Sequence, residues 1–256
     1  MQHPVCFVGA GPGDPELITV KGQRLLREAD LIVYAGSLVP TALLDVRKEG
    51  AEIHDSAPMT LEETHKLLSE GFRRGARVVR LHTGDPSLYG AIREQMELLE
   101  QEDVPYEVVP GVSAVFAAAA NLRRELTLPE VSQTVILTRL AGRTPVPELE
   151  NLRSLATHRA TLAIYLSIHQ MDKVVEELLE SYPPRTPVVV AYRVGWPDQM
   201  FVEGVLEDIA DKVERAGVRR QALILVGEVF AGFGEEKIKR SRLYDALFGH
   251  GFRDAR

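Results

Sequence analysis

Residues 5–15 read Val5-Cys6-Phe7-Val8-Gly9-Ala10-Gly11-Pro12-Gly13-Asp14-Pro15, an apolar run that passes directly into a glycine-rich turn. Valine and phenylalanine favour an extended strand, and glycine permits the positive φ and the close backbone approach of a tight turn. Ligands of open α/β sheets bind at the carboxyl ends of the strands. The stretch therefore predicts a strand of such a sheet, ending in either a ligand-binding loop or a structural turn.

The spacing of the glycines separates this turn from the common nucleotide-binding motifs. G-x-G-x-G replaces the G-x-G-x-x-G of dinucleotide-binding loops, and Pro12 and Pro15 lack the amide donors that would cradle phosphate. Tyr34-Ala35-Gly36 also stands where a nicotinamide-dependent oxidoreductase would place an acidic residue for the ribose. Such an oxidoreductase is an alternative interpretation, but both features argue against it.

Outside this stretch, short apolar runs alternate with helical patterns, which is typical of a mostly parallel sheet covered by helices. The predicted strands are Val5 to Gly9, Leu31 to Tyr34, Val78 to His82 and Tyr106 to Val109. The predicted helices cover about Thr19 to Ala29, Thr60 to Phe72, Leu88 to Gln101 and Ser113 to Ala120. Thr60 and Glu63 form a capping box, which fixes the start of the second helix.

The polar stretch Asn121 to Gln133 marks a domain boundary, so we expect two α/β domains at residues 1–120 and 121–256 with a cleft between them. The predicted strands of the second half are Thr134 to Leu140, Thr161 to Ser167, Val188 to Val194, Met200 to Leu206 and Gln221 to Gly227, with helices from Glu148, Asp172 and Glu207. The short connection between Val194 and Met200 predicts an antiparallel hairpin, and therefore a mixed sheet.

Composition restricts the class of partner and the compartment. The net charge of −7 argues against a nucleic-acid partner, and we interpret Arg123-Arg124 and Lys237 to Arg242 as solvated surface. No apolar run approaches the ~20 residues of a membrane span, and the single cysteine, Cys6, excludes an internal disulfide. We therefore expect a cytoplasmic protein without membrane contact. The seven histidines lack metal-ligand spacing, so we also expect no protein-bound metal.

Two further small-residue loops follow predicted strands. They are His82-Thr83-Gly84-Asp85-Pro86-Ser87-Leu88-Tyr89-Gly90 and Val109-Pro110-Gly111-Val112-Ser113-Ala114. Gly84 would let a ligand lie against the backbone, although Asp85 and Ser87 are also suited to cap the following helix. His82 either assists proton loss or packs in the core, and packing is the favoured interpretation. Three such loops at strand ends of one sheet favour a common binding site.

These three loops resemble the motifs of the tetrapyrrole methylase superfamily. G-A-G-P-G-D, a G-D-P turn and V-P-G-[ITV]-[ST]-[AS] recur there in the order found here, and the match spans nearly the whole chain. The resemblance implies two α/β domains, a homodimer, and S-adenosylmethionine held in a bent conformation in the cleft between the domains. It also implies methyl transfer to a tetrapyrrole, with S-adenosylhomocysteine as the product.

The resemblance further implies which residues contact the cofactor. Those at matching motif positions are Pro12, Thr83, Gly84, Asp85, Leu88, Ser113, Ala114, Leu166 and Gly195. Leu166 stands where relatives often carry methionine, and its apolar side chain is still suited to pack against adenine.

Several segments resemble the branch of the superfamily that methylates C11 of precorrin-4, or of its cobalt complex, in cobalamin biosynthesis. They are Tyr34-Ala35-Gly36-Ser37-Leu38-Val39-Pro40, Leu137-Thr138-Arg139, Gly142-Arg143-Thr144-Pro145, Ser241-Arg242-Leu243-Tyr244-Asp245 and His250-Gly251-Phe252-Arg253. The uroporphyrinogen-III branch typically carries Y-D-R-L-V and G-G-D-P-F in place of residues 34–39 and 83–87. A methylase of uroporphyrinogen-III, or of another precorrin, is the alternative.

Methyl transfer from a sulfonium needs neither a metal nor a covalent enzyme intermediate, because an electron-rich carbon attacks the methyl group directly. Positioning alone recovers roughly 7–11 kcal/mol of barrier, which suits a sequence without a visible triad or an identified catalytic residue. Corrin precursors carry many carboxylates, so Arg139 and Arg143 are candidate substrate ligands, with simple surface charge as the alternative. Tyr34 and Ser37 are further candidates at another strand end. Trp196 is expected either to close over the cofactor or to pack.

Overall fold

The computed structural model describes residues 2–232, 248–249 and 251–254. The basic segment Lys237 to Arg242, the motif Ser241 to Asp245 and His250 lie outside the described residues. The chain forms two compact units, of which the first comprises the residues up to Ala118 together with Arg193–Gln199. The second comprises Ala119–Tyr192 and the residues from Met200 onward. Within the described part of the chain, no helix is both long and apolar enough to cross a membrane.

The first unit contains a five-stranded sheet, ordered β3-β2-β4-β1-β5, in which every pair of neighbours is parallel. Its strands are β1 (Val5–Gly9), β2 (Leu31–Tyr34), β3 (Glu52–Asp55), β4 (Val78–His82) and β5 (Tyr106–Val109). Its helices are α1 (Val20–Glu28), α2 (Leu61–Arg73), α3 (Ile92–Gln101) and α4 (Ala114–Leu122), the last of which continues into the second unit. Short 3-10 turns cover Pro15–Leu17 and Thr41–Val46.

Apolar side chains cover both faces of this sheet, as a parallel sheet flanked by helices requires. On one face Val8 and Leu81 pack with Leu26 of α1. On the other face Phe7 packs with Leu68 of α2. Because β1 and β4 are buried along their whole lengths, the loops that follow them begin at strands whose positions are fixed by packing.

The N-terminal half of the sheet also contains one strand that the sequence pattern does not predict. β3 reads Glu52-Ile53-His54-Asp55, lies at the edge of the sheet and has both ends exposed. A short polar edge strand lacks the apolar run that identifies buried strands of a parallel sheet. By contrast, the capping box predicted at Thr60 and Glu63 is confirmed, and α2 begins at the next residue.

The start of α3 differs from the prediction. The helix begins at Ile92 rather than at Leu88, because Tyr89 and Ala91 have φ values of 57° and 48°. These values belong to the left-handed region, which a right-handed helix excludes. The N-cap is Ala91, without a side-chain hydrogen bond, so the interpretation of Asp85 or Ser87 as its cap is wrong.

The second unit contains a mixed sheet with the order β6-β7-β10-β8-β9. Its strands are β6 (Val135–Arg139), β7 (Thr161–Tyr165), β8 (Pro187–Tyr192), β9 (Met200–Val205) and β10 (Ala222–Val226). Its helices are α5 (Leu152–Ala156), α6 (Met171–Leu179) and α7 (Ile209–Arg215), with 3-10 turns at Glu148–Glu150, Ile168–Gln170 and Glu228–Phe230. Only β6 and β7 pair in parallel, and the antiparallel pairing of β8 with β9 confirms the predicted hairpin. A parallel first sheet and a mixed second sheet are therefore confirmed.

Candidate active site

The first and second glycine loops are joined through their backbones at the carboxyl edge of the first sheet. The Gly11 N–H donates to the Gly84 carbonyl at 3.2 Å, and the Gly84 N–H donates to the Gly11 carbonyl at 2.8 Å. The Ala10 N–H donates to the His82 carbonyl at 2.7 Å, which extends the pairing of β1 and β4 by one residue. The two loops therefore form one continuous backbone surface.

The third loop lies so close to the other two that a side chain cannot fit between them. A Cβ atom on Gly111 would collide with the Gly84 carbonyl oxygen and lie 2.8 Å from the Cα of Gly9. A Cβ atom on Gly9 would lie 2.6 Å from the Cα of Gly111. These separations are below carbon–carbon contact distance, so both positions require glycine.

Gly84 favours glycine for a different reason. Its φ of 59° lies in the left-handed region, and the nearest atoms to an added Cβ would be the Ser113 Cα at 3.8 Å and the Val112 oxygen at 4.0 Å. An added Cβ at Gly84 would therefore meet its neighbours at ordinary van der Waals distance, unlike one at Gly9 or Gly111. Gly84 is half-buried and carries no side chain, which suits a ligand that lies against the main chain, as the sequence of the second loop indicates.

Asp85 fastens the second loop to the third. Its Oδ1 accepts the Ser87 N–H at 2.8 Å, and its Oδ2 accepts the Gly111 N–H at 2.9 Å. Hydrogen bonds from N–H groups to a carboxylate are stronger than those between neutral groups. Both carboxylate oxygens are thus used to hold the backbone, so Asp85 shapes the site in addition to any contact with a ligand.

Most of the predicted cofactor contacts lie on these three loops, namely Pro12, Thr83, Gly84, Asp85, Leu88, Ser113 and Ala114. Pro12 and Ser113 are buried, whereas Thr83, Leu88 and Ala114 are half-buried. The Ser113 carbonyl accepts N–H groups of the first turn of α4. The structure therefore brings these residues to one edge of one sheet.

The segment Arg193–Gln199 belongs to the same unit and contacts the first loop. A Cβ atom on Gly195, whose φ is 81°, would lie 2.7 Å from the Asp14 nitrogen. A Cβ atom on Gly13 would meet the indole ring of Trp196, with its Nε1 at 2.7 Å. Trp196 therefore packs on the first loop, and the guanidinium carbon of Arg193 lies 4.2 Å from the centre of its ring.

His82 packs beneath the second loop. Its ring stacks on Phe7 with 5.9 Å between the ring centres. Burial, assisted by the charge of Arg80, lowers the pKa of His82 to about 3, so the imidazole is neutral at physiological pH. Such a group is a poor acceptor for a substrate proton, which agrees with packing as its role.

The residues predicted to contact the substrate in this unit lie at the end of β2. Tyr34 is half-buried against the core and Ser37 is exposed. The Gly36 N–H between them donates to the Asp55 Oδ1 at 2.9 Å. Asp55 is the last residue of β3, so sequence reasoning, which does not predict that strand, misses this carboxylate.

The remaining predicted site residues lie in the second unit. Arg139 ends β6, and its guanidinium donates to the carbonyl oxygens of Thr144 at 2.9 Å and Pro145 at 2.6 Å. Arg143 is exposed on the loop that these bonds hold. Leu166 follows β7, is 62% exposed and has a φ of 55°. The guanidinium of Arg139 is thus engaged by its own loop, whereas Arg143 is exposed.

Other candidate reactive groups have ordinary structural roles. Cys6 is buried in the core, and burial together with the hydrogen bond to Glu107 raises the pKa of its thiol to about 12. It is therefore protonated and not a nucleophile. In the described ranges, no three His, Cys, Asp or Glu side chains are grouped as metal ligands.

Comparison with known proteins identifies relatives over nearly the whole chain. Residues 4–210 match the family described as Tetrapyrrole (Corrin/Porphyrin) Methylases. The cobalt-precorrin-4 C(11)-methyltransferase of Methanocaldococcus jannaschii is 53% identical over 98% of this chain and 96% of that protein. The precorrin-4 C(11)-methyltransferase of Pseudomonas aeruginosa is 55% identical over 97% of this chain and 98% of that protein.

Solved structures give the same result at the level of the fold. An X-ray structure of a cobalt precorrin-4 methyltransferase matches with a TM-score of 0.88 and 49% identity, covering 90% of this chain and 96% of that one. The uroporphyrin-III C-methyl transferase of Thermus thermophilus, complexed with S-adenosylhomocysteine, matches with a TM-score of 0.76 and 33% identity, covering 91% and 96% of the two chains.

Proposed function

This chain belongs to the tetrapyrrole (corrin/porphyrin) methylase family, and we propose that it transfers a methyl group from S-adenosylmethionine to C11 of precorrin-4 or cobalt-precorrin-4 in cobalamin biosynthesis. The observation that carries the proposal is identity above 50% over nearly the full length of proteins with that activity, compared with 33% for a uroporphyrin-III methylase. All these relatives are methyltransferases, which supports methyl transfer over the nicotinamide-dependent oxidoreductase.

The three-loop site fits a bound S-adenosylmethionine. Gly84 is half-buried and has no side chain, so a ligand can approach its backbone, and Asp85 holds the second and third loops in a fixed relation. We assign cofactor contacts to Pro12, Thr83, Gly84, Asp85, Leu88, Ser113, Ala114, Leu166 and Gly195. When bound, the cofactor supplies an electrophilic methyl group on its sulfonium.

The chain's own contribution to the reaction is chiefly positional. Backbone hydrogen bonds join the first and second loops, and Asp85 joins the second to the third, so a ligand bound there meets a surface that needs little rearrangement. Tyr34 and Ser37 lie at the end of β2, next to β4 and its loop, where a flat substrate would contact both. Correct orientation of two reactants contributes roughly 7–11 kcal/mol, which makes an acid–base triad unnecessary.

The proposed activity is tested with purified precorrin-4, with and without cobalt, and S-adenosylmethionine. We expect mass spectrometry to detect a product heavier by one methyl group, and nuclear magnetic resonance to place that group on C11. Uroporphyrinogen-III serves as the control substrate and is expected to remain unmethylated. Methylation of uroporphyrinogen-III alone would reassign the chain to the other branch of the family.

We assign the carboxylates of the substrate to Arg143 and Arg139. Arg143→Ala is expected to raise the KM for the tetrapyrrole about tenfold, because a hydrogen bond to a charged group contributes roughly 1.5–3 kcal/mol. The Kd for S-adenosylhomocysteine, measured by calorimetry, is expected to stay unchanged. Arg219→Ala, which removes another exposed arginine of the same unit, is the matched control. Equal losses of substrate and cofactor affinity would contradict the assignment.

The family resemblance supports a homodimer, and the net charge of −7 supports the absence of a nucleic-acid partner. The single cysteine and the lack of a long apolar run support a cytoplasmic protein without membrane contact, and the spacing of the histidines supports the absence of a protein-bound metal. Any cobalt then enters the site as part of the substrate.

A further inference from the structure

Asp55 places a carboxylate beside the loop that follows β2. Its backbone pairs with Tyr34 in the parallel register of β2 and β3. Its Oδ1 accepts two backbone N–H groups, from Gly36 at 2.9 Å and from Ala57 at 2.8 Å. The carboxylate is therefore held in one orientation by the main chain, although Asp55 itself is exposed at the edge of the sheet.

The second oxygen of Asp55 lies over the backbone of Gly36. A Cβ atom on Gly36 would collide with Oδ2 and lie 2.6 Å from Oδ1, so a side chain there would displace the carboxylate. Among the described residues, no N–H or O–H group donates to Oδ2. One oxygen of Asp55 thus anchors the side chain, while the other is available to a ligand.

The other titratable side chains described at this edge of the sheet have structural roles that differ from that of Asp55. Both oxygens of Asp85 bind backbone N–H groups. Asp14 caps the turn that follows the first loop, by accepting the Glu16 N–H at 2.9 Å. His82 is buried and neutral. Among the described carboxylates at this edge, Asp55 is consequently anchored through one oxygen at the loop that follows β2 and leaves its other oxygen without a donor.

On the premise of the proposed function, we infer that Asp55 is the proton acceptor of the methyl transfer. The π electrons of the tetrapyrrole form the new carbon–carbon bond, and the electron pair of the broken carbon–sulfur bond stays on sulfur. The methylated ring then carries one additional positive charge. In metal-free precorrin-4, transfer of a pyrrole N–H proton to Oδ2 removes that charge, and the exposed carboxylic acid returns the proton to solvent.

The position of Asp55 agrees with this role. β3 lies two strands from β4, which corresponds to about 10 Å at the usual strand spacing. A planar tetrapyrrole covers such a distance, so one face of the substrate can reach both the cofactor loops and Asp55. The carboxylate repels the acidic side chains of the substrate and attracts ring N–H groups. Asp55 therefore also favours one orientation of the ring.

Asp55→Asn is the decisive variant, because the amide oxygen can still accept the N–H groups of Gly36 and Ala57 while the proton acceptor is lost. We expect the single-turnover rate constant for methylation to fall at least ~100-fold, which is the usual contribution of a general base. The KM for the tetrapyrrole and the Kd for S-adenosylhomocysteine should change less than about threefold. Glu94→Gln, an exposed carboxylate on α3, is the matched control and should keep full activity.

Asp55→Ala provides a second readout, since it leaves room for a small carboxylate. Added formate is expected to raise the methylation rate of this variant in proportion to its concentration, and not that of Asp55→Asn. A rate for Asp55→Asn within threefold of wild type, or a loss confined to KM, would overturn the inference. If the wild-type protein methylates neither form of precorrin-4, the proposed function fails as well, so the two failures are distinguishable.

Discussion

Gly111→Ala is expected to weaken binding of S-adenosylhomocysteine by at least the order of 100-fold, as measured by titration calorimetry. The new methyl group would collide with the Gly84 carbonyl oxygen and press on the Cα of Gly9. Neither neighbour can rotate away, because both are backbone atoms held by main-chain hydrogen bonds, Gly84 in the second loop and Gly9 at the end of β1. The third loop must therefore move, and displacements of about 1 Å at a site cost on the order of 100-fold in function.

Overpacking at Gly111 should also reduce stability. Extra methyl groups in closely packed positions typically cost roughly 1–3 kcal/mol in the free energy of unfolding, which urea denaturation would measure. The variant should nevertheless fold, because the sheet beneath the loops keeps its buried apolar side chains. Loss of affinity in a folded protein then reports on the geometry of the site.

Gly232→Ala is the control for this experiment. It makes the same substitution where an added Cβ would have nothing within 4 Å among the described residues. We expect both its cofactor affinity and its stability to match the wild type. Wild-type affinity in Gly111→Ala would mean that the close approach of the three loops is not needed for binding.

The fold of the first unit was largely predictable because its buried strands carry a strong local signal. β1, β2, β4 and β5 have the predicted bounds; β1 and β2 are nearly continuous apolar runs, whereas β4 and β5 carry β-branched or aromatic residues beside Arg80 and Glu107. β3 was not predicted because it is an exposed edge strand, which does not require the apolar residues that identify a buried strand. Its omission also concealed Asp55, whose significance depends on the neighbouring strand and not on the residues beside it in sequence.

The sequence predicted where the three loops of the candidate site lie but not the contacts between them. Glycine motifs located the three loops, and the structure places them at one edge of the sheet. The sequence could not indicate that the oxygens of Asp85 bind Ser87 and Gly111, since Gly111 lies 26 positions away. Nor could it indicate that Arg139 donates to carbonyls of its own loop. Such contacts depend on loop geometry, which has no periodic sequence signal.

Asp85→Ala is expected to lower the free energy of unfolding by about 2 kcal/mol, because hydrogen bonds to a charged group contribute roughly 1.5–3 kcal/mol. It should also weaken S-adenosylhomocysteine binding by at least tenfold and up to about 100-fold. The third loop would lose its bond to the second, so the cofactor would have to order both loops on binding. Urea denaturation and calorimetry measure the two effects.

Asp85→Asn separates this role from that of a simple polar contact. Asparagine has nearly the same shape, but it carries one oxygen and one NH₂ group, whereas Ser87 and Gly111 both present N–H donors. One of these donors must face another donor, so we expect Asn to be almost as harmful as Ala. If Asp85 served only as a charged contact for a ligand, and the second and third loops kept their positions without it, both variants would keep wild-type stability. Glu94→Gln, which replaces an exposed carboxylate on α3, controls for the change in net charge.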